Sequence, residues 1–360
     1  MVEGTAGDGR REALRALLAG PLNSIFGAVP SSISVVVVAY NSGPALARCL
    51  RSLEPEHAEV LVVNNGGPAP ELGDAAGAEV ISPGANLGFA AGCNLGAARA
   101  SGDVLVFLNP DTVVAPGALG QLARTLEDRT IGIAMPRLRL LDRPELLNSG
   151  GNVLHLTGLA WAGSYGQPAD ELRELRDVAY PTGAAMAIRA DLFRELGGFT
   201  EELFMYQEDL ELGWRARLRG LRVVVTPEAD VYHEYEYGRN VQKQYLLERN
   251  RLVFVLSAYS GRLLAVLAPV LVAGELSMLA LAAKEGWWRD KLAGWGWCAR
   301  HARWLVGHRR ETQRLRRVGD RELASLLTPV IDPAMIELPK PVEAANRLLE
   351  WYWSVARRAL

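Results

Sequence analysis

The stretch Ile33-Ser-Val-Val-Val-Val-Ala39 is the feature that most restricts how this chain can fold. Val and Ile are β-branched and favour extended backbone, and a run of them without polar alternation indicates a strand covered on both faces. Strands of this kind occur in parallel sheets that have helices on both sides. The run therefore predicts an α/β fold.

Helical and strand patterns alternate along the chain after this first strand. The first predicted helix places Leu46, Cys49, Leu50 and Leu53 on one face. Further strands are predicted at 60–63, 80–81, 104–108, 131–135, 183–188 and 221–225, and further helices at 89–100, 118–126, 190–196 and 210–218. Residues 137–180 lose the alternation, which predicts a long excursion over an active site. The order predicts a mostly parallel sheet flanked by helices.

The sequence divides into three predicted parts. Residues 1–30 are interpreted as a peripheral segment with a short helix near 11–18, and they lack the apolar run of a secretory signal. Residues 31–240 are predicted to form the catalytic domain. Residues 241–360 lack strand patterns and predict a helical region. We therefore expect the catalytic part to stay in the cytoplasm.

A stretch of 21 residues, 263–283, carries only one charge, Glu275, and is long enough to cross a membrane, although Pro269 interrupts an ordinary span. Several tryptophans interleaved with arginines follow it: Trp287, Trp288, Trp295, Trp297 and Trp304. Indole rings favour the lipid headgroup zone, so a peripheral or monotopic membrane region is one interpretation. A buried helical hairpin is the other.

Composition excludes some partners. The chain has 39 Lys and Arg against 41 Asp and Glu, so it lacks the basic excess of a nucleic-acid-binding protein, and no nucleic-acid partner is expected. The three cysteines, Cys49, Cys93 and Cys298, are too widely spaced for a zinc or redox pair and suggest a reducing compartment.

Polar residues follow four of the predicted strands. They are Tyr40 and Asn41, Asn64 and Asn65, the stretch from Asn86 through Gly88 and Phe89 to Asn94, and Asn109-Pro110-Asp111. Ligands of open parallel sheets bind at the carboxyl ends of the strands, although Asn and Gly also suit ordinary turns. The chain has neither a G-x-G-x-x-G fingerprint nor a P-loop, which disfavours dinucleotide and ATP-type sites.

Three acidic residues and one histidine are candidates for chemistry. Asp111 ends a buried strand, where one carboxylate and diphosphate oxygens would hold Mg²⁺ or Mn²⁺, and His233 is a plausible second ligand. Glu208 and Asp209 open a helix and would accept a proton from a sugar hydroxyl. The structural alternatives are a turn residue at Asp111, helix capping at Glu208 and Asp209, and a core or surface role for His233.

Taken together and in this order, the motifs resemble the family 2 glycosyltransferases of the GT-A fold, in particular their bacterial rhamnosyltransferase-like branch. The likeness covers roughly residues 33–255. It rests on Ser34–Asn41, Val62-Val-Asn64-Asn65, Asn86–Asn94, Leu108-Asn-Pro-Asp111, Pro181-Thr-Gly183-Ala184, Gly197-Gly-Phe199 and Glu208-Asp209 with Leu212 and Trp214-Arg215.

The resemblance implies an inverting, metal-dependent transfer from a dTDP-, UDP- or GDP-linked sugar. The implied donor contacts are Ala39, Tyr40, Asn41, Asn64, Asn65, Asn86, Gly88, Phe89, Asn94, Asn109, Pro110 and Asp111. Asp111 and His233 would bind Mg²⁺ or Mn²⁺, and Asp209 would be the base. The implied acceptor contacts are Gly183, Ala184, Glu208 and Trp214, around a glycan or lipid-linked glycan at the cytoplasmic face of the membrane.

The chain departs from the family pattern at two of these positions. Asn64 stands where an aspartate usually accepts from the nucleobase, and Asn109 replaces the first aspartate of the metal motif, leaving Asp111 as its sole carboxylate. Two other functions stay open from sequence. A nucleotidyltransferase would carry a basic, glycine-rich loop after the first strand, which Tyr40-Asn41-Ser42-Gly43 is not. A noncatalytic membrane scaffold would have no need of Asp111, Glu208, Asp209 and His233.

Overall fold

The computed structural model of the protein describes residues 32–67, 77–234, 242–334 and 340–360. The predicted peripheral segment 1–30, its short helix and the predicted domain limit near residue 240 lie outside these ranges.

Strands and helices alternate in the first part of the described chain, and helices dominate the last part. The strands are β1 Ile33–Ala39, β2 Glu59–Asn64, β3 Glu79–Ile81, β4 Val104–Leu108, β5 Thr112–Val114, β6 Ile131–Leu140, β7 Leu147–Ser149, β8 Asn152–His155, β9 Ala160–Ala162, β10 Arg176–Asp177, β11 Ala185–Arg189, β12 Arg222–His233 and β13 Leu327–Thr328. The helices are α1 Gly43–Leu53, α2 Gly88–Arg99, α3 Ala118–Thr125, α4 Ala190–Leu196, α5 Glu208–Leu218, α6 Lys243–Ala258, α7 Gly261–Glu285, α8 Trp288–Arg300, α9 Ala302–Arg314, α10 Asp320–Ala324 and α11 Lys340–Ala356.

The main sheet has the strand order β3-β2-β1-β4-β11-β6-β12-β10, with β5 paired to β12 and β7 to β6. The pairs among β3, β2, β1 and β4 are parallel, and so is β6 with β12. β11 runs antiparallel to both β4 and β6. β5, β7 and β10 also pair antiparallel with their neighbours. The sheet is therefore mixed, with β11 reversed at its centre, and the predicted α/β architecture is confirmed.

Helices cover both faces of this sheet, as the unbroken apolar run of β1 predicts. Val35 and Val37 pack into one core with helices α1 and α3, whereas Val36 and Val38 pack into a second core with α2 and α4. Alternate residues of a strand point to opposite faces, so both sets of valines are buried. Because β1 pairs parallel with both β2 and β4, the carboxyl ends of these three strands lie at the same sheet edge.

The segment 137–180, predicted as an excursion without regular structure, is more ordered than expected. β6 extends to Leu140, and four short strands follow it. The pattern is hidden because charged residues lie inside the strands: Arg137 and Arg139 of β6 both donate to Asp230 of β12, at 2.8 and 2.9 Å. β12 likewise runs on to His233, past a register shift between Thr226 and Asp230.

The C-terminal helices share a core with the catalytic layers. Trp214 of α5 packs against Phe254 and Tyr259, with ring centroids 5.7 and 6.0 Å away. Residues of α7, α10 and α11 complete this cluster. The region is not wholly helical, since β13 pairs with β8.

The five tryptophans predicted to lie in the headgroup zone also have protein partners. Trp287 donates to Glu285 and Trp295 to Glu275, at 3.0 and 2.8 Å. Trp297 stacks on His301 and Trp304 on His308, with centroids 4.2 and 5.0 Å apart. Arg289 lies over the ring of Trp288, which is 41% exposed. The other four are half-buried, so their place in a headgroup zone stays a prediction.

Candidate active site

The ends of β1 and β2 meet at an exposed corner of the sheet. Asn65 donates its backbone N–H to Ala39 O at 2.8 Å, and Asn64 lies opposite Ala39 in the register. Tyr40 is 53% exposed, and Asn41 adopts a left-handed backbone with φ of 50°. Ala39 itself is buried, so of these residues the side chains of Tyr40 and Asn41 are the ones turned to solvent.

Asn65 was predicted to line the donor pocket, but its side chain is buried. Its side chain is 2% exposed, its Oδ1 accepts from Leu87 N at 2.8 Å, and its Nδ2 donates to Gly88 O and Asn86 Oδ1 at 2.8 and 3.1 Å. Both ends of the amide are therefore engaged by the loop that precedes α2. The predicted donor contact of Asn65 is corrected to a role in holding this loop, which keeps Asn86 exposed at the same edge.

Phe89 and Asn94, predicted to contact the donor, also face the protein. Phe89 packs edge-on against Phe199, with centroids 6.2 Å apart. Asn94 donates to Phe199 O and Glu201 Oε1 at 2.9 and 3.0 Å and accepts from Phe199 N at 2.8 Å. The loop after α4 therefore engages the Asn94 amide, and a donor contact by either residue stays a prediction.

Gly88 allows the chain to approach closely behind this corner. Its φ is +83°, and a Cβ there would lie 2.5 Å from both the ring and the carbonyl oxygen of Phe204. Glycine is the residue that tolerates this conformation and this contact. Gly88 therefore joins the predicted donor loop to the loop that leads into α5.

Asp111 and His233 lie together beyond the ends of β4 and β12. His233 Nε2 is 3.3 Å from Asp111 Oδ1, and Glu234 donates its backbone N–H to Asp111 O at 2.9 Å. His233 Nδ1 faces Asn148 Oδ1 at 3.0 Å. An amide oxygen only accepts, so Nδ1 donates in this contact, and Nε2 is the ring nitrogen that lies towards Asp111.

Asp111 and His233 fit a divalent cation that takes its other ligands from a bound phosphate and water. A carboxylate and an imidazole 3.3 Å apart present one oxygen and one nitrogen donor, and Mg²⁺ or Mn²⁺ commonly takes its remaining ligands from phosphates and water. Within the described ranges there is no group of three or more His, Cys, Asp and Glu side chains that would form an all-protein site.

Backbone contacts connect the acidic pair, Glu208 and Asp209, with the turn that contains Asp111. Asn109 donates its backbone N–H to Ala184 O at 2.9 Å, and Gly183 donates its own to Asp209 Oδ2 at 2.7 Å. A Cβ on Gly183 would lie 3.5 Å from both Asp209 Oδ2 and Glu208 Oε1. Two adjacent residues of the turn that precedes β11 thus connect the Asn109-Pro110-Asp111 turn with the two carboxylates.

Burial changes the acidity of the pair. Burial, and after it the negative charge of Asp209, raises the pKa of Glu208 to about 8. Burial also raises the pKa of Asp209, against the lowering effect of the hydrogen bonds from Gly183 and Leu210. Two close carboxylates with raised pKa values favour a shared proton, with one group neutral and the other able to accept.

Trp214 cannot contact an acceptor, which corrects its predicted role. Its side chain is 0% exposed, in the cluster with Phe254 and Tyr259. Gly183 and Ala184 are also buried, so what they offer the site is backbone that fixes Asp209 and Asn109.

Several polar residues that support this site were not predicted. Asn148 orients His233, and Arg249 and Asn250 of α6 bind the loop before Glu208. None of the three lies at the end of a predicted strand. The one signal in the sequence is the polar run Glu248-Arg-Asn-Arg251, which directly precedes the apolar run Leu252–Leu256.

Comparison with known proteins agrees with this geometry. Residues 34–197 match the family described as glycosyl transferase family 2. The N-acetylglucosaminyl-diphospho-decaprenol L-rhamnosyltransferase of Mycobacterium tuberculosis is 27% identical over 266 residues, which cover 64% of this chain and 85% of that protein. The O-antigen biosynthesis protein RfbC of Myxococcus xanthus is 29% identical over 224 residues, covering 57% and 17%.

Solved structures share the fold. GalNAc-T7 with UDP, GalNAc and Mn²⁺ matches with a TM-score of 0.52 at 21% identity, covering 63% of this chain and 48% of that one. S. aureus TarS 1-349 in complex with UDP-GlcNAc matches with a TM-score of 0.51 at 16% identity, covering 90% of each chain. The sheet around β11 is thus of the GT-A type, and the chain is a glycosyltransferase whose residues 34–197 match family 2 and which is similar to bacterial rhamnosyltransferases.

Proposed function

We propose that this enzyme transfers a sugar from a nucleotide diphosphate donor to a hydroxyl of a glycan or lipid-linked glycan, with inversion at the anomeric carbon. The observation that carries the proposal is the link through the turn before β11: the Gly183 N–H donates to Asp209, and the Ala184 C=O accepts from Asn109 in the turn that ends in Asp111. A metal-binding pair and a basic carboxylate therefore flank one stretch of backbone.

The donor's nucleotide would bind at the exposed corner formed by Tyr40, Asn41, Asn64 and Asn86. Tyr40 offers an exposed aromatic ring for stacking, and the three amides offer hydrogen bonds. Structures that share the fold contain UDP or UDP-GlcNAc, which supports a nucleotide-sugar donor here.

Asp111 and His233 would hold Mg²⁺ or Mn²⁺ beside the donor's diphosphate. The chemistry that such an ion supplies is neutralisation of the charge that develops on the leaving diphosphate. The Nδ1–H contact to Asn148 would keep the His233 ring turned with Nε2 inward.

Asp209 would act as the base of a single displacement. The acceptor oxygen bonds to the anomeric carbon while the bond from that carbon to the diphosphate oxygen breaks, and the nucleoside diphosphate leaves with the electron pair. The acceptor's proton passes to the Asp209 carboxylate. Glu208, neutral below about pH 8, would leave the negative charge of the pair on Asp209.

Rhamnose is the donor sugar we propose first, with a lipid-linked acceptor in the synthesis of cell-surface polysaccharide. The support is the names of the M. tuberculosis and M. xanthus relatives. The experiment is a screen of dTDP-, UDP- and GDP-sugars with Mg²⁺ or Mn²⁺, following release of the nucleoside diphosphate. Release from dTDP-rhamnose above all others is expected, and release from none would overturn the proposal.

The acidity of the carboxylate pair predicts how the rate depends on pH. Asp209 must be deprotonated to accept a proton, and its pKa lies above the ordinary value of 3.8. Activity is therefore expected to fall, as the pH is lowered, at a pH clearly above 3.8, in a profile of kcat/KM against pH. A profile that stays flat down to the ordinary aspartate pKa would remove Asp209 from this role.

We further propose that α7 lies on the cytoplasmic face of the membrane as a monotopic helix. It has 25 residues, so it is long enough to span, and its most apolar stretch of 18 residues has a mean hydropathy of 2.1, yet only 17% of that stretch is buried within the protein. Val272 and Leu276, one turn apart, are 60% and 61% exposed. About a quarter-turn around the helix from these two residues, Glu275 is ion-paired with Lys291 at 3.0 Å, and a spanning helix would have to break this pair.

Charges at the ends of α7 and a neighbouring helix favour a bilayer as the occupant of this surface. Arg262 and Lys284 are exposed at either end, matching anionic headgroups. α11 contacts α7 through the hydroxyl of Tyr352, which donates to Val266 O, and exposes Leu348 and Trp351 at 64% and 66%. In this proposal one face of α7 packs against the protein and another faces lipid. It therefore combines the two interpretations of the sequence, a buried hairpin and a membrane region.

Replacing Val272 and Leu276 together by Asp is expected to weaken binding to vesicles containing anionic lipid by about tenfold or more, because charges would enter the lipid interface. Flotation with such vesicles measures it. The control is Val80→Asp with Leu175→Asp, two residues outside the helical region that are 38% and 40% exposed. If the α7 variant floats like the parent, the membrane surface is wrong.

A further inference from the structure

One turn of α6 buries four consecutive polar residues. Glu248, Arg249, Asn250 and Arg251 are 4%, 7%, 0% and 3% exposed. Polar and charged groups are rarely buried unless all are bonded, and four in succession point in every direction around a helix. This turn must therefore be bonded to structures on more than one side.

Two of the four side chains face the helices that follow. Arg251 Nη2 lies 2.9 Å from Glu248 Oε2 and also pairs with Glu275 of α7. Lys291 of α8 lies 2.5 Å from Glu248 and 3.0 Å from Glu275. This network fixes α6 against α7 and α8.

The other two side chains bind the loop that precedes α5. Asn250 Nδ2 donates to the carbonyl oxygens of Leu203, Met205 and Tyr206, at 2.9, 2.9 and 2.7 Å. Two N–H bonds are thus shared among three acceptors. Arg249 Nη2 donates to Leu203 O at 2.7 Å, and its Nε donates to Asn250 Oδ1 at 2.8 Å, which turns the Asn250 amide nitrogen towards the loop.

This loop has an unfavourable backbone conformation. Phe204, Tyr206 and Gln207 have φ values of 63°, 70° and 63°, in the region that favours glycine. Such residues persist only where the surrounding structure holds them. Gln207 is followed directly by Glu208 and Asp209, so the strained stretch sets where the two carboxylates begin.

We propose that Asn250, oriented by Arg249, is a positioning residue for transfer: it holds the strained loop so that Asp209 faces the incoming hydroxyl. The inference rests on the role proposed for Asp209. It adds that α6, in the C-terminal region, is a working part of the catalytic site. Asn250 touches neither donor nor acceptor, so its loss would act on turnover rather than on donor binding.

The test compares Asn250→Ala and Asn250→Ser with Ser257→Ala. Ser257 lies on the same helix, is 0% exposed and donates only to carbonyls within α6, so it controls for a lost buried hydrogen bond. We expect Asn250→Ala to lower kcat by about tenfold or more with the donor KM within about threefold of the parent, and Asn250→Ser, which keeps one donor, to fall between. Ser257→Ala should keep the kcat of the parent.

Rates are expressed per donor-binding site, counted by calorimetry with the nucleoside diphosphate and Mn²⁺, so partial misfolding does not imitate the effect. A kcat for both Asn250 variants equal to that of Ser257→Ala overturns the inference, and so does a loss confined to the donor KM. Asp209→Asn is measured beside them. If it lacks activity while Asn250→Ala is fully active, only this inference fails; if Asp209→Asn is fully active, the proposed base fails.

Discussion

Asp209→Asn is expected to lower turnover by about a hundredfold or more while the donor still binds, because an amide accepts no proton from the acceptor hydroxyl. The substitution keeps the shape of the side chain, so the contact from Gly183 N to Oδ2, 2.7 Å in the parent, need not be lost. Steady-state rates of nucleotide release, with donor affinity measured by calorimetry, separate the two effects.

Asp191→Asn is the matched control for this variant. Asp191 Oδ1 accepts from the backbone N–H of the next residue, Leu192, at 2.7 Å, as Asp209 Oδ1 does from Leu210. It lies in the first turn of α4 with its side chain 68% exposed. We expect the Asp191 variant to turn over like the parent. Equal rates in the Asp209 variant and the parent would contradict the assignment of the base.

Asp111→Ala is expected to abolish the metal-dependent part of donor binding. His233 would remain as the one protein ligand of the pair, and a single imidazole holds Mg²⁺ poorly because this cation prefers oxygen ligands. Calorimetry of donor binding with and without Mg²⁺ or Mn²⁺ measures the change. An affinity that still rises with the cation as in the parent would be evidence against the metal site.

The control for this substitution is Asp103→Ala, at the opposite end of the same strand. Asp103 directly precedes β4, as Asp111 follows it within a few residues, and it accepts from the Ser32 hydroxyl at 2.8 Å. Removing it takes away a carboxylate from β4 without touching the carboxyl edge of the sheet. Its donor affinity should respond to the cation as the parent's does.

Much of the catalytic layer was predictable because apolar periodicity determined it. The predicted bounds of β1, β4 and α4 agree with the structure at both ends. Strand direction was not readable in the same way. β11 is as apolar as its neighbours yet runs antiparallel to them, since hydrophobicity reports burial and not orientation.

The candidate site was predictable where two strand ends bring potential metal ligands together. The sequence brought Asp111 and His233 together, 122 positions apart in the chain, and their side chains lie within 3.3 Å. Asn65 and Asn94 occupy equally suggestive positions but spend their amides on neighbouring loops. Residue type alone does not distinguish an amide that binds a ligand from one that binds backbone.

The support of the acidic pair was beyond sequence reasoning for a different reason. The left-handed conformations of Phe204 and Tyr206 occur at residues that rarely adopt them, so no local signal indicates the strain. The residue that holds this loop, Asn250, is more than forty positions away. Such contacts depend on how α6 packs against α5, which periodicity does not predict.

The stereochemistry of the product tests whether transfer is a single displacement with Asp209 as the base. A single displacement by a hydroxyl, with Asp209 accepting its proton, inverts the configuration at the anomeric carbon. The measurement is the anomeric configuration of the newly formed linkage, read by NMR on the purified product and compared with that of the sugar nucleotide. We predict opposite configurations in donor and product. Retention of configuration would contradict the account.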